Sequence, residues 1–256
     1  MEIDLKGKRA VITGGTRGIG RAIAETLAKA GADLAVCARN ADQVREAAQA
    51  LARTGVRAIG EAVDIADGDA LRAWVAQAGE RLQGIDILVC NPSAFGIGNR
   101  EEDWRQGFEI DLMGTVRAVE AASPFLERAA ADRGDASIVV LGSVLGTEAD
   151  TESAYGAMKA AAVHFAKGAA RRLAPKRVRA NAISPGTVYV KDGFWGNAER
   201  HMPEVYAEYF GRNPMKRMAV PQEIANVAAF LASPAASFLT GANIVVDGAF
   251  TNRVNF

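Results

Sequence analysis

The apolar run Arg9-Ala-Val-Ile-Thr13 leads straight into Gly14-Gly15-Thr16-Arg17-Gly18-Ile19-Gly20, and that turn opens into Arg21-Ala-Ile-Ala-Glu-Thr-Leu-Ala-Lys-Ala30, with apolar residues at helical spacing. The order is strand, glycine turn, helix. Gly14, Gly18 and Gly20 allow backbone angles and close approaches that a Cβ would block, while the first-turn amides of the helix offer unpaired donors to an anion. A dinucleotide pyrophosphate fits that description, and the position between strand and helix makes the glycines more than a generic turn.

Strand and helix patterns alternate along the rest of the chain. Strands are expected at 8–13, 33–39, 56–63, 85–90, 136–142, 178–184 and 243–247, and helices near 17–30, 41–54, 67–82, 103–131, 152–174 and 221–232. No Pro/Ser-rich linker, internal repeat or low-complexity tract interrupts them. The pattern predicts α/β architecture in one domain spanning 1–256: a doubly wound, Rossmann-type sheet of about seven parallel strands with helices on both faces. A ligand then binds at the carboxyl ends of the strands, where the strand order reverses.

Composition narrows the partners. Thirty basic residues balance thirty acidic ones, so the chain has no net field to attract nucleic acid or an anionic membrane. No apolar run approaches the roughly 20 residues of a spanning helix, and Met1-Glu-Ile-Asp-Leu5 lacks the basic-then-apolar pattern of a signal peptide. A soluble, cytoplasmic protein is expected. Cys37 and Cys90 sit in apolar strand-like runs and read as small buried thiols, and two histidines, His164 and His201, cannot assemble a zinc site at recognisable spacing.

The second expected strand selects the dinucleotide. NAD-binding units carry Asp or Glu about 20 residues past the glycines, where it accepts hydrogen bonds from the ribose hydroxyls. Here Ala38 holds that place and Arg39 follows, with Arg17 inside the glycine turn itself. Two guanidinium groups suit a 2′-phosphate, so NADP(H) is favoured over NAD(H).

Further along, Tyr155 and Lys159 stand one turn apart on one helix face, and Ser143 ends the apolar strand Ala136-Ser-Ile-Val-Val-Leu-Gly142 twelve residues before Tyr155. Reduction of a carbonyl needs a hydride and a proton for the developing alkoxide. A free phenol, with a pKa near 10, is a reluctant base at pH 7, and a neighbouring ammonium favours its phenolate. Ser143 supplies a hydroxyl to hold the carbonyl oxygen as charge grows on it.

The Gly-x-x-x-Gly-x-Gly turn after Thr13, followed far downstream by Tyr155-Gly-Ala-Met-Lys159, resembles the short-chain dehydrogenase/reductase family, and in particular the 3-oxoacyl-carrier-protein reductases. The resemblance runs from about Leu5 to Asp247. It implies that Tyr155 is the acid/base, that Lys159 favours the phenolate and binds the nicotinamide ribose, and that Ser143 orients substrate. It implies cofactor contacts from Gly14, Thr16, Arg17, Gly18, Ile19, Gly20, Arg39, Asp64, Ile65, Asn91, Tyr155 and Lys159, and from Pro185, Gly186, Thr187 and Val188. On the bare sequence Asp64 also reads as a helix cap before Ala66-Asp67. The family usually forms tetramers through the long helices, here 103–131 and 152–174.

The chain departs from the family pattern at three places. In Cys90-Asn91-Pro92-Ser93 only Asn91 keeps its place from the family's Asn-Asn-Ala-Gly. Asp111, in Phe108-Glu-Ile-Asp111-Leu-Met-Gly114, stands where the family has a catalytic Asn that holds a proton-relaying water, and Asp brings a charge and no NH2 donor. Val190 stands where a Thr follows Pro-Gly, which leaves Thr187 as a shifted hydroxyl. From Val188 to Asn213 the pattern turns irregular and aromatic, as expected either of a lid over the substrate or of a subunit interface. His201 lies within this insert as a possible substrate contact, and His164 reads as helix surface or interface. The reading is an oxidoreductase acting between NADP(H) and a carbonyl or secondary alcohol of 3-oxoacyl or other ketone type. An NAD-linked secondary-alcohol or sugar dehydrogenase and a non-catalytic sensor of NADP(H) stand as its alternatives.

Overall fold

A computed structural model describes residues 3–149 and 152–254; Met1 and Glu2, the start of the stretch read for a targeting signal, lie outside them. Seven strands, β1 (Arg9–Thr13), β2 (Asp33–Ala38), β3 (Ala58–Ala62), β4 (Ile87–Cys90), β5 (Ala136–Leu141), β6 (Val178–Pro185) and β7 (Asn243–Val246), form one sheet in the order β3-β2-β1-β4-β5-β6-β7. Every neighbouring pair is parallel. The sequence expectation of a doubly wound parallel sheet is met. The order reverses between β1 and β4, so a crevice opens past their carboxyl ends, directly beside the glycine turn.

The strands read as unbroken apolar runs because both faces are covered: β4, β5 and β6 are buried at every position. On one face Ile23 and Leu27 of α1 (Gly18–Lys29), Leu51 of α2 (Ala41–Ala52) and Ile224 of α9 (Pro221–Ala232) pack on Ile12 and Val36. On the other, Leu71 of α3 (Gly68–Leu82), Leu126 of α5 (Gly114–Arg133) and Ala166 of α6 (Ala154–Leu173) pack on Val11 and Ile138. Val11 and Ile12 thus point to opposite faces, as strand geometry requires.

Two expectations needed correction. The helix expected at 103–131 is three segments: α4 (Glu101–Gln106), a π-helical stretch (Gly107–Met113) and α5. The Gly114 N–H reaches back to the carbonyl of Glu109, five residues earlier, which marks the extra residue in the ladder. All three segments are helical, so the sequence reads them as one run. The insert 188–213, expected to be irregular, instead forms α7 (Phe194–His201) and α8 (Pro203–Arg212). Both are short, but Val205, Tyr206, Tyr209 and Phe210 keep helical spacing in α8 and Pro203 marks its start, signals that the sequence offered.

The start of α9 carries a testable charge. Glu223 accepts from the Val220 backbone N–H at 2.9 Å and from both terminal nitrogens of the Arg217 guanidinium at 2.6 and 2.7 Å. The Arg217 hydrogen bonds, with the Val220 amide second, lower its pKa from an ordinary 4.5 to about 2. A depressed carboxylate contributes stability that is present above pH 4.5 and lost as the pH falls towards 2. The pair is partly exposed, so Glu223→Gln is expected to cost only about 1 kcal/mol at pH 7. Thermal melts should show that deficit shrinking below pH 4 and absent near pH 2.

Candidate active site

Every sequence-predicted cofactor residue falls on the carboxyl edge of the sheet. The Gly14 and Gly15 N–H groups both donate to the Cys37 carbonyl, which ties the glycine turn to the end of β2, two residues before Arg39. Asn91, at the end of β4, donates its side-chain N–H to the Gly14 carbonyl at 3.0 Å, and its backbone N–H donates to Thr13 Oγ1 at 3.1 Å. Asn91 therefore fixes the shape of the turn. Gly18 has φ +54°, and a Cβ on Gly20 would sit 2.2 Å from the Gly14 carbonyl oxygen. The turn therefore accepts no side chain there, and its backbone is left bare for a ligand. Thr16 and Ile19 are half-buried within it. Arg17 and Arg39 are exposed, and neither guanidinium has a hydrogen-bond or ion-pair partner among the described residues.

Asp64 follows β3, with Val63 hydrogen-bonded to the Ala38 carbonyl, and Ile65 beside it is buried. Its expected helix-capping role belongs instead to Asp67, whose carboxylate accepts from the Asp69 and Ala70 N–H groups at 3.1 and 3.0 Å. Asp64 only closes its own turn, accepting from Ala66 at 3.0 Å. Beyond β6, Gly186 lies so near Asp247 that a Cβ would approach it to 2.7 Å, and Val188 bridges to Ala219. Val190 reaches over the glycine turn, 3.7 Å from the place of a Gly18 Cβ. The Thr187 hydroxyl is buried and has no hydrogen-bond partner among the described residues.

The reactive groups gather on α6. Ser143, at the end of β5, accepts from the Leu145 N–H at 3.2 Å, and the loop carrying it packs on the first turns of α6, since a Cβ on Gly146 would stand 2.8 Å from Ala160 N. Lys159 is 3% exposed. Its Nζ donates to the carbonyls of Pro92 and Leu141, each at 3.1 Å, and lies 3.1 Å from Asp111 Oδ1. Asp111 is 1% exposed, and its Oδ2 accepts from the Ala94 N–H at 2.8 Å. The π-helical segment thus aims the carboxylate at the Lys159 ammonium directly. Among the described residues Oδ1 has no directed hydrogen bond, so the contact with the ammonium is Coulombic. The ammonium itself stands 5.6 Å from the Tyr155 ring centroid. These backbone acceptors were not legible in sequence, because they depend on which strand ends meet.

Cys90 is free and buried beside Asn91; burial pushes its thiol up to about 12, with Lys159 opposing, so it is neutral and inert at pH 7. Cys37 is raised to about 12 by the same cause. His164 and His201 are both exposed.

The sequence reading passed over Phe95. Its ring lies 5.3 Å from that of Tyr155 and 5.5 Å from Phe194 of the insert, and Phe194 continues to Trp195 at 5.0 Å and on to Tyr209 at 5.1 Å. Its place four residues past Asn91, in the loop after β4, was the available signal.

A family model described as enoyl-(acyl carrier protein) reductase matches residues 14–251, nearly the whole chain. The chain belongs to the short-chain dehydrogenase/reductase family. This oxidoreductase is 41% identical to isoepoxydon dehydrogenase of Penicillium expansum, the alignment covering 95% of each chain. It is 32% identical to the 3-oxoacyl-[acyl-carrier-protein] reductase of Aquifex aeolicus, over 97% of this chain and 99% of that one. Its fold matches L-sorbose reductase of Gluconobacter frateurii, solved with NADPH and L-sorbose, with a TM-score of 0.90 and 31% identity over 99% of this chain and 100% of that one. Among the described residues, no helix of this short-chain dehydrogenase/reductase is long and apolar enough to cross a membrane.

Proposed function

We propose that the protein reduces a ketone to a secondary alcohol with NADPH, or runs the reverse reaction, with Tyr155 as the acid/base. The observation that carries this reading is the buried Lys159 ammonium, held by two carbonyls and Asp111 on the helix face that bears Tyr155 and beside the Ser143 loop. Bound NADPH supplies a hydride to the carbonyl carbon. The phenol of Tyr155 donates its proton to the carbonyl oxygen, and Ser143 gives that oxygen a hydrogen bond as its charge develops. Lys159 stabilises the phenolate left behind, and Asp111 holds the ammonium in place and balances its charge. Monitoring NADPH oxidation against a panel of ketones, acetoacetyl thioesters and quinones tests the reading. Tight NADPH binding with no turnover on any of them would favour the sensor alternative.

The glycine turn fits the pyrophosphate, and the two unpartnered arginines beside it favour the 2′-phosphate of NADP(H) over NAD(H). Pro185, Gly186, Val188 and the Thr187 hydroxyl are proposed to meet the nicotinamide carboxamide. Arg39→Ala is expected to raise the KM for NADPH tenfold or more, about 1.4 kcal/mol, and to change that for NADH little. Steady-state kinetics with both cofactors check this, and equal use of both by the wild type would contradict it. The chain is read as one domain, with α7 and α8 forming the substrate lid. Half-exposed Trp104 and Phe108, on the long helical stretch after β4, support a homo-oligomer, taken to be a tetramer.

A further inference from the structure

Among the aromatic residues, Phe95 is held in an unusual way. Its backbone is left-handed, φ +53°, which costs a residue with a Cβ and persists only where the surroundings impose it. The loop around it is tied to the start of α6: the Tyr155 N–H donates to the Gly96 carbonyl at 3.2 Å, and the Ala154 N–H to that of Gly98 at 3.3 Å. The Phe95 N–H donates to Ser93 Oγ at 3.0 Å. The loop that carries the ring is thereby tied to the helix that carries Tyr155, and 46% of Phe95 is exposed. It presents an apolar face next to the proton donor, continued by Phe194 from the insert.

A carbonyl oxygen within hydrogen-bond reach of the Tyr155 hydroxyl places the adjoining carbons beside that face. A ring ketone carries both of those carbons in one stiff body, with a flat C–H surface for an aromatic wall. An open chain with the same number of carbons must freeze its torsions to lie there, and that ordering opposes binding. Within the insert, Lys191, Arg200 and Arg212 are outnumbered by Asp192, Glu199, Glu204 and Glu208, so it offers an acidic carrier protein no net positive charge. We propose that the substrate is a small alicyclic ketone, or the matching cyclic alcohol, seated with one ring face on Phe95 and Phe194, and not a carrier-borne 3-oxoacyl chain.

The inference rests on the reductase reading, and the test separates the two. The quantity to measure is the ratio of kcat/KM for cyclohexanone to that for 2-hexanone, two ketones with the same number of carbons, with acetoacetyl-CoA as a third substrate. Comparing this ratio between wild type and variants cancels the intrinsic reactivity of the ketones and any loss of folded enzyme. Phe95→Ala is expected to lower it tenfold or more, whereas Phe95→Tyr, which keeps a ring, retains it. In the wild type, cyclohexanone should outperform acetoacetyl-CoA. A ratio unchanged within twofold in Phe95→Ala, or acetoacetyl-CoA as the best substrate, overturns the ring-ketone assignment and leaves the reductase standing. No turnover of any of the three overturns both.

Discussion

Tyr155→Phe is expected to reduce kcat by at least 10²-fold, and up to 10⁴-fold, while leaving the dissociation constant for NADPH within about twofold of wild type. The substitution removes one oxygen from a half-buried ring and leaves intact its packing against Phe95. Only the transferable proton is lost, so the effect belongs to the chemical step and not to the fold. Fluorescence titration of NADPH and single-turnover kinetics on the same preparation check the two halves. Near-normal turnover in the variant would remove Tyr155 from the mechanism.

Asp111→Ala is expected to remove most of kcat and to lower stability. It takes the counter-charge from a 3%-exposed ammonium and leaves the Ala94 N–H without its acceptor. Breaking a buried pair in this way typically costs about 3–5 kcal/mol, and the two carbonyls that remain on Lys159 argue for the lower end. For a chain of this size the melting temperature should then fall by roughly 6–12 °C. Asp111→Asn separates position from charge, since the amide oxygen still accepts from Ala94. That variant should fold and turn over. An Asp111→Ala enzyme with wild-type kcat and pH profile would show that the carboxylate has no part in catalysis.

Much of this architecture was legible in the sequence, for identifiable reasons. Parallel strands buried on both faces appear as apolar runs, and β5 and β6 could be read to within a residue or two. The glycine turn and the Tyr155–Lys159 spacing are local features, set by backbone sterics and helical pitch. What stayed hidden was non-local or aperiodic. The π-helical stretch that carries Asp111 to the Lys159 ammonium was not read from the sequence. Capping by Asp67 in place of Asp64 turns on a single turn geometry. The meeting of Phe95 with Tyr155 joins residues sixty positions apart, and no local pattern announces it.

The central claim is that hydride passes between NADP(H) and a carbonyl carbon while Tyr155 supplies the proton. Its most direct test is reduction of cyclohexanone by NADPH carrying deuterium at both positions of nicotinamide C4, with the alcohol analysed by mass spectrometry. One deuterium on the carbinol carbon for each NADP+ formed by the wild type, and labelling at least 10²-fold slower with Tyr155→Phe under the same single-turnover conditions, is the predicted result. NADP+ formation without deuterium in the product, or equal labelling by the two enzymes, would contradict it.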